Sequence, residues 1–424
     1  MITKNLLIRT SSRALSTFVS IGSLYVYINE FLPSDIGAFA IFSSAASIIS
    51  AITLRNYPVL LLSSSSLNQE KQLYRDTFKW WLSISVLAIA ASVLFKISEI
   101  SLLIYPLSAF MGGALVLDRF LDIRAQLREK IYLVSLSYLA NSLVSLLATL
   151  ALINFTENHT FWTLCFGKII GVLASISVMS TGVFSEYSFD KQSKSESIAQ
   201  ISSHHDKKIA SITSVLNVVF NYFTPFVVVY SFGTSVLGQF SIAQRLIGIP
   251  ISLSSIIIAD EMQKLHFKSQ KQNQDVDSPY RSNGNRDNST LMKKRQYKLF
   301  LISLILGALI AVVMLIDLPN YFVGNSWSDI GTLVLIMIPL MISQLSTSSC
   351  YRMLQVSNQY SYLLKWELSR VIFVFLFILL SSYLVEFMPA TYLVSASYSI
   401  TGFVLYLILY RHYKKHFFEA NFVN

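Results

Sequence analysis

Long apolar stretches separated by short polar ones recur from the first residues of the chain to the last. Crossing the hydrocarbon core of a bilayer takes about 20 mostly apolar residues in a helix, at about 1.5 Å of rise each. Twelve stretches qualify, near 6–30, 36–61, 78–96, 101–118, 131–153, 161–182, 209–231, 235–259, 299–317, 330–350, 362–384 and 390–410. The first contains Arg9 and Arg13, and the third and fourth are short. A secretory signal peptide is removed after one short apolar run. Here the runs continue to the C-terminal end, so residues 1–30 read as a retained first span. The pattern predicts an all-α, multi-pass membrane protein.

The basic residues test the number of spans. If the N-terminus is cytoplasmic, 29 of the 33 Lys and Arg residues fall on inner segments. Lys96 lies near an outer turn, and Lys168, Arg245 and Arg370 lie within spans. One missed helix would invert every later segment and abolish the asymmetry. Cytoplasmic segments carry the excess of positive charge, so the distribution predicts twelve spans with both termini inside.

The outer turns, 32–35, 154–160, 232–235, 317–329 and 386–389, are too short to hold a folded catalytic domain. Two inner stretches are longer. Residues 186–208 read as a cytoplasmic linker between an N-terminal bundle, 1–185, and a C-terminal bundle, 209–424. Residues 261–298, rich in Gln, Asn, Ser and Lys, read as a flexible cytoplasmic loop. The two halves share an echo: Ile36-Gly37-Ala38-Phe39-Ala40-Ile41 opens helix two and Leu237-Gly238-Gln239-Phe240-Ser241-Ile242 opens helix eight. Six spans per half give both halves the same orientation, a parallel repeat about an axis along the membrane normal.

Composition removes other classes. The chain has 424 residues, 53% hydrophobic and 13% charged, against about 25% charged in soluble domains. The net charge of +10 is accounted for by topology, so nucleic acid is not an expected partner. Cys165 and Cys350 sit in apolar runs and read as buried thiols. There is no P-loop, GxSxG or HExxH pattern, and none of the six His residues lies deep in a span. No cofactor or metal is expected, and energy would come from the membrane potential or an ion gradient.

Within 236–265, Leu237-Gly238, Phe240, Ala243, Arg245 and Pro250 resemble the helix-eight signature of polysaccharide flippases in the MOP (MATE-like) exporter superfamily, the O-antigen or Wzx-like group. Phe322-Val323-Gly324 is similar to that family's outer-turn Phe-Gly. Two features depart from it: the long segment between helices eight and nine, and Asp260-Glu261 where the family often has proline. The resemblance implies two six-helix bundles around a central cavity that opens alternately to each side. It implies a bacterial cytoplasmic (inner) membrane. The implied cargo is an oligosaccharide on an undecaprenyl-pyrophosphate type carrier, and the implied pathway partners are polymerase and chain-length proteins. It also implies that helices one, two, seven and eight line the cavity.

Cations inside spans are the informative chemistry. A Lys or Arg at a helix centre costs roughly 2.5–3.5 kcal/mol on insertion scales, so it faces a cavity or a partner. Arg245 falls near the midplane of helix eight, Arg13 and Arg9 share one face of helix one, and Lys168 lies two turns into helix six. The fork of a guanidinium suits phosphate oxygens. Arg13 and Arg245 are the candidates for pyrophosphate binding, with Arg9 guiding entry and Lys168 as a further cation; Arg9 and Arg13 also fit snorkelling to inner headgroups. Asn217, Asn221 and Tyr222 on helix seven, and Tyr25, Tyr27 and Asn29 on helix one, are candidates for sugar contact, or else for interhelical glue and an interfacial belt. Glu367 and Arg370 are spaced to pair on helix eleven.

Asp118, Arg119 and Asp122 close helix four on the inner side, as a solvated helix end or a latch against another helix, and no carboxylate is expected to be buried at mid-span. A multidrug antiporter of the same superfamily would want such an acid. A lipid II or teichoic-acid flippase remains an alternative. A membrane polysaccharide polymerase would need a larger outer loop.

Overall fold

The computed structural model describes residues 2–54, 75–86, 103–127, 130–155, 160–184, 204–274, 281–315, 327, 329–357, 359–386 and 388–415. The described residues are almost entirely helical. In chain order they form α1 (Ile2–Glu30), α2 (Pro33–Leu54), α3 (75–86), α4 (Ile104–Leu127), α5 (Ile131–Phe155) and α6 (Phe161–Phe184). A 71-residue helix, His204–Gln274, follows, then α9 (Arg281–Leu315), α10 (Ile330–Val356), α11 (Tyr360–Ser381) and α12 (Ala390–Lys414).

The long helix is two elements. Its apolar part, Val215–Ile251, would measure about 55 Å if straight, against a hydrocarbon core of about 30 Å. It breaks at Gly233, whose φ of 85° and ψ of 175° are non-helical and sit where an L side chain is strained. The break defines α7 (204–232) and α8 (234–274). Among the described residues, eight helical stretches are long and apolar enough to cross a membrane, with Val215–Ile251 taken as one. The three helices outside that set are α1, which carries Arg9 and Arg13, α3, described over 12 residues, and α11, with Lys365, Glu367 and Arg370. The protein is a multi-pass helical membrane protein.

Two expected boundaries moved. Helix four does not end at 118; α4 continues to Leu127, because charged residues on an apolar helix do not stop it when neighbouring helices satisfy them. The stretch 261–298 is not a flexible loop throughout. α8 runs on to Gln274 and α9 starts at Arg281, since Gln, Lys and Glu are good helix formers once a helix is nucleated. Residues 186–203 of the expected 186–208 linker and the Phe322-Val323-Gly324 turn lie outside the described residues, and the linker's last residues, 204–208, belong to α7.

The chain divides into two compact units, Met1–Ser241 and Ile242–Asn424. In the first, α5 packs along α6, α2 along α4, and α1 along α5. Lipid tails are as apolar as the helices, so close packing of small residues and interhelical hydrogen bonds hold such bundles. The Gly167-Lys168-Ile169-Ile170-Gly171 segment of α6 does this against α5: a Cβ at Gly171 would lie 2.6 Å from the Asn141 carbonyl oxygen and 2.7 Å from Ser145 Cβ. Asp35, at the start of α2, accepts the Phe161 N–H at 3.2 Å and so caps α6. In the second unit, α10 packs on α9 and α12, and α11 on α12. The Ser303 and Ser346 hydroxyls lie 2.9 Å apart between α9 and α10, and the Trp366 indole N–H donates to the Leu405 carbonyl at 2.9 Å. Cys165 and Cys350 are both free and buried.

The echoed glycines meet. A Cβ on Gly37 would lie 2.8 Å from the carbonyl carbon of Thr234, and one on Gly238 would lie 2.6 Å from that of Pro33. Each glycine therefore presses on the backbone four residues before the other, a reciprocal crossing of α2 and the first turns of α8.

Candidate functional site

Arg245 lies eleven residues into α8, about 17 Å along the helix by its rise. Its neighbours Phe240, Ile242, Ala243 and Ile247 are buried, and its own side chain is half-buried. One residue before it, Gln244 donates from Nε2 to the Tyr398 hydroxyl at 3.2 Å. Gly248 follows at i+3 on the same face, and a Cβ there would meet nothing within 4 Å. Arg245 is thus on a helix face that is open at Gly248. The side chains of Arg9 and Arg13 lie outside the described residues, although their backbone is part of α1.

Lys168 is placed among partners within the first unit. Its Nζ donates to Asn141 Oδ1 at 3.1 Å, and it acts electrostatically on Asp118. Asp118 Oδ1 accepts the Ser175 hydroxyl at 2.6 Å, and Ser175 shares a face of α6 with Lys168 at i+7. One turn further along α4, Asp122 is buried. It accepts the Tyr138 hydroxyl at 3.2 Å and pairs with Arg119 at 3.6 Å. The Ser142 hydroxyl, 2.6 Å from that of Ser16, carries the polar track to α1.

This corrects the expectation of no carboxylate buried at mid-span. Asp118 is nine residues, about 14 Å, short of the end of α4, and lies within the apolar stretch Ile104–Ala125. The available signal was the i, i+4 spacing of Asp118 and Asp122 in an otherwise apolar run, which puts both on one face.

The Asn217 and Asn221 side chains bond to each other, Nδ2 of Asn221 donating to Oδ1 of Asn217 at 3.0 Å. Tyr222 is 39% exposed and acts electrostatically on Arg119. On α1, Tyr25 is exposed and Asn29 donates to the Tyr25 carbonyl at 3.0 Å. Tyr27 is not on that outward face. It is buried edge-on between Phe31 of the α1–α2 turn and Phe39 of α2, at 6.3 and 6.2 Å between ring centres.

In the second unit, Glu367 and Arg370 form the expected pair at 3.0 Å and both are buried. The Arg370 guanidinium lies 4.8 Å from the centre of the Trp366 ring, and its Nη1 is 3.4 Å from the Tyr406 hydroxyl. The pair is closed on all of these sides, as suits a structural element.

No family model matches the chain, and no curated protein matches it in sequence. Solved structures do. A multidrug resistance MATE family transporter of the MOP superfamily, in its inward-facing conformation, superposes with a TM-score of 0.66 at 10% identity, over 96% of this chain and 94% of that one. The lipid II flippase MurJ, in an inward closed conformation, superposes with a TM-score of 0.62 at 13% identity, over 97% of this chain and 87% of that one. An outward-facing MATE transporter gives 0.58 at 11% identity, over 99% and 97%. The chain has the fold shared by MATE transporters and MurJ along essentially its whole length.

Proposed function

We propose that this protein is a flippase of the MOP superfamily that moves a polyprenyl-pyrophosphate-linked oligosaccharide, such as an O-antigen repeat unit, from the inner to the outer leaflet of a bacterial cytoplasmic membrane by alternating access. The observation that carries the reading is Arg245: a half-buried guanidinium near the middle of a span, with open space at Gly248 on the same helix face, in a chain with a transporter's fold. At 4 Å and an effective dielectric near 20, one phosphate charge against one guanidinium gains about 4 kcal/mol before desolvation. Arg13 supplies a second contact, Arg9 guides entry from the inner side, and Asn217, Asn221 and Tyr222 meet sugar hydroxyls. With the cell interior negative, each net negative charge moved outward gains about 2.3 kcal/mol per 100 mV, so the membrane potential favours export of this cargo.

The test is transport in proteoliposomes loaded with a fluorescent polyprenyl-pyrophosphate oligosaccharide. Arg245→Ala is expected to lower the initial rate at least tenfold at unchanged protein level. Arg245→Lys should fall between, since it keeps the charge and loses the fork. Wild-type rates in Arg245→Ala would reject the assignment. A second reading is favoured by Asp118 and its bond to Ser175: a cation-coupled exporter, in which Asp118→Asn would abolish dependence on an imposed ion gradient and leave Arg245→Ala mild.

A further inference from the structure

Arg119 of the first unit sits inside a span and is only partly engaged. It lies on α4 within the apolar stretch Ile104–Ala125, six residues and about 9 Å from the inner end. An arginine at that depth is costly unless it meets water or a partner. Its side chain is 58% exposed. The exposed apolar residues of α4, Phe110 and Leu117, mark the side turned to hydrocarbon. Arg119 is two residues from Leu117, about 200° around the helix, and so points away from that side.

The protein engages Nη1 alone among its nitrogens. Nη1 lies 3.5 Å from the Tyr138 hydroxyl and 3.6 Å from Asp122 Oδ2, at the outer limit of useful hydrogen bonding. Among the described residues, nothing bonds to Nε or Nη2. Those two N–H groups form the parallel fork that grips a carboxylate or a phosphate. The acids stand behind it. Asp122 is buried, and its Oδ2 also accepts the Tyr138 hydroxyl. Asp118 accepts the Ser175 hydroxyl and lies in the field of Lys168. The two carboxylates balance the two cations, so an anion would gain from the directed fork rather than from net charge. Tyr222 of α7 acts electrostatically on Arg119. It is seven residues, about 10 Å, beyond Val215 at the start of its own apolar stretch, a depth that matches that of Arg119. Tyr222 and its neighbour Asn221 are both exposed.

We infer that Arg119 is an anion-binding residue of the transport site, its Nε and Nη2 taking an oxyanion group of the cargo beside the sugar contacts proposed for Asn221 and Tyr222. The inference rests on the flippase reading in assigning the anion to the cargo. That anion is the phosphate of the lipid carrier or the carboxylate of an acidic sugar, and the fork fits both.

Calorimetric titration of the full chain in phosphatidylcholine nanodiscs tests it with two probe pairs: geranylgeranyl pyrophosphate against geranylgeraniol, and dodecyl glucuronide against dodecyl glucoside. Wild type is expected to prefer the charged member of at least one pair. Arg119→Gln should weaken that member roughly tenfold and leave its neutral counterpart unchanged. Arg119→Lys should fall between, since it keeps the charge and loses the fork. A loss in the pyrophosphate pair assigns the lipid phosphate, and a loss in the glucuronide pair assigns an acidic sugar. Arg119→Gln also strips Asp122 of a partner, so Arg119→Gln/Asp122→Asn is measured beside it. Binding still lost in the double variant, at a restored melting temperature, supports the proposal. Binding regained there makes Arg119 a structural residue and overturns it. Charged probes held by Arg119→Gln as tightly as by wild type overturn this proposal alone. A wild type indifferent to charge in both pairs sinks the flippase reading with it. Full affinity in Arg245→Ala beside a weakened Arg119→Gln rejects Arg245 and leaves Arg119 standing.

Discussion

Substituting Gly238 with Ala probes the crossing of α2 and α8. The added Cβ would sit 2.6 Å from the Pro33 carbonyl carbon, where ordinary van der Waals contact begins at 3.4 Å. The obstacle is backbone on a helix, which cannot swing aside as a long side chain would, so the two helices must part. Overpacking of this kind costs about 1–3 kcal/mol, offset by the roughly 0.5–1 kcal/mol that Ala gains over Gly in a helix. Gly248→Ala on the same helix isolates that gain, since nothing lies within 4 Å of its Cβ. In SDS-titrated unfolding followed by circular dichroism, Gly238→Ala should be about 2 kcal/mol less stable than Gly248→Ala. Gly37→Ala should match Gly238→Ala. The double variant should cost less than the two single costs together, because the first substitution has already separated the helices. If Gly238→Ala is as stable as Gly248→Ala, or if the double variant is additive, the crossing is not as described.

Glu367→Gln leaves the buried Arg370 without its charge partner and should cost about 3–5 kcal/mol in the same unfolding assay, with Glu367→Gln/Arg370→Gln recovering part of the loss. Lys168→Met removes the hydrogen bond to Asn141 and the field on Asp118; it should cost about 1–3 kcal/mol, and adding Asp118→Asn should return much of it. Reporter fusions at 154–160 should read as outer and fusions at 186–208 as inner; the reverse result at either site would overturn the topology inferred from the basic residues.

Periodicity could establish that the chain is built of long apolar helices because a bilayer imposes a length and an apolar composition on every span. The break between α7 and α8 was visible as a short turn at 232–235 for that reason, although the chain bridges it with one non-helical glycine. The boundaries of α4, α8 and α9 were not legible. A charge ends a span in the sequence only if nothing inside the bundle meets it, and Ser175 and Tyr138 meet the carboxylates of α4. Outside the membrane, polar residues that build loops also build helices, so 261–274 and 281–298 gave no sign of which they would do.

The site divides in the same way. Residue type and depth singled out Arg245, Lys168 and the Glu367–Arg370 pair, because a charge in an apolar span always needs an answer. What answers it was left to tertiary packing: Asn141 and Asp118 for Lys168, Trp366 and Tyr406 around Arg370. The chain's own residues therefore determined that it spans a membrane many times and where charge is carried. Which of those charges are neutralised in place, which helix faces touch, and why two distant glycines share a motif were decided only when helices far apart in the chain came within van der Waals reach, since no local pattern records the partner across an interface.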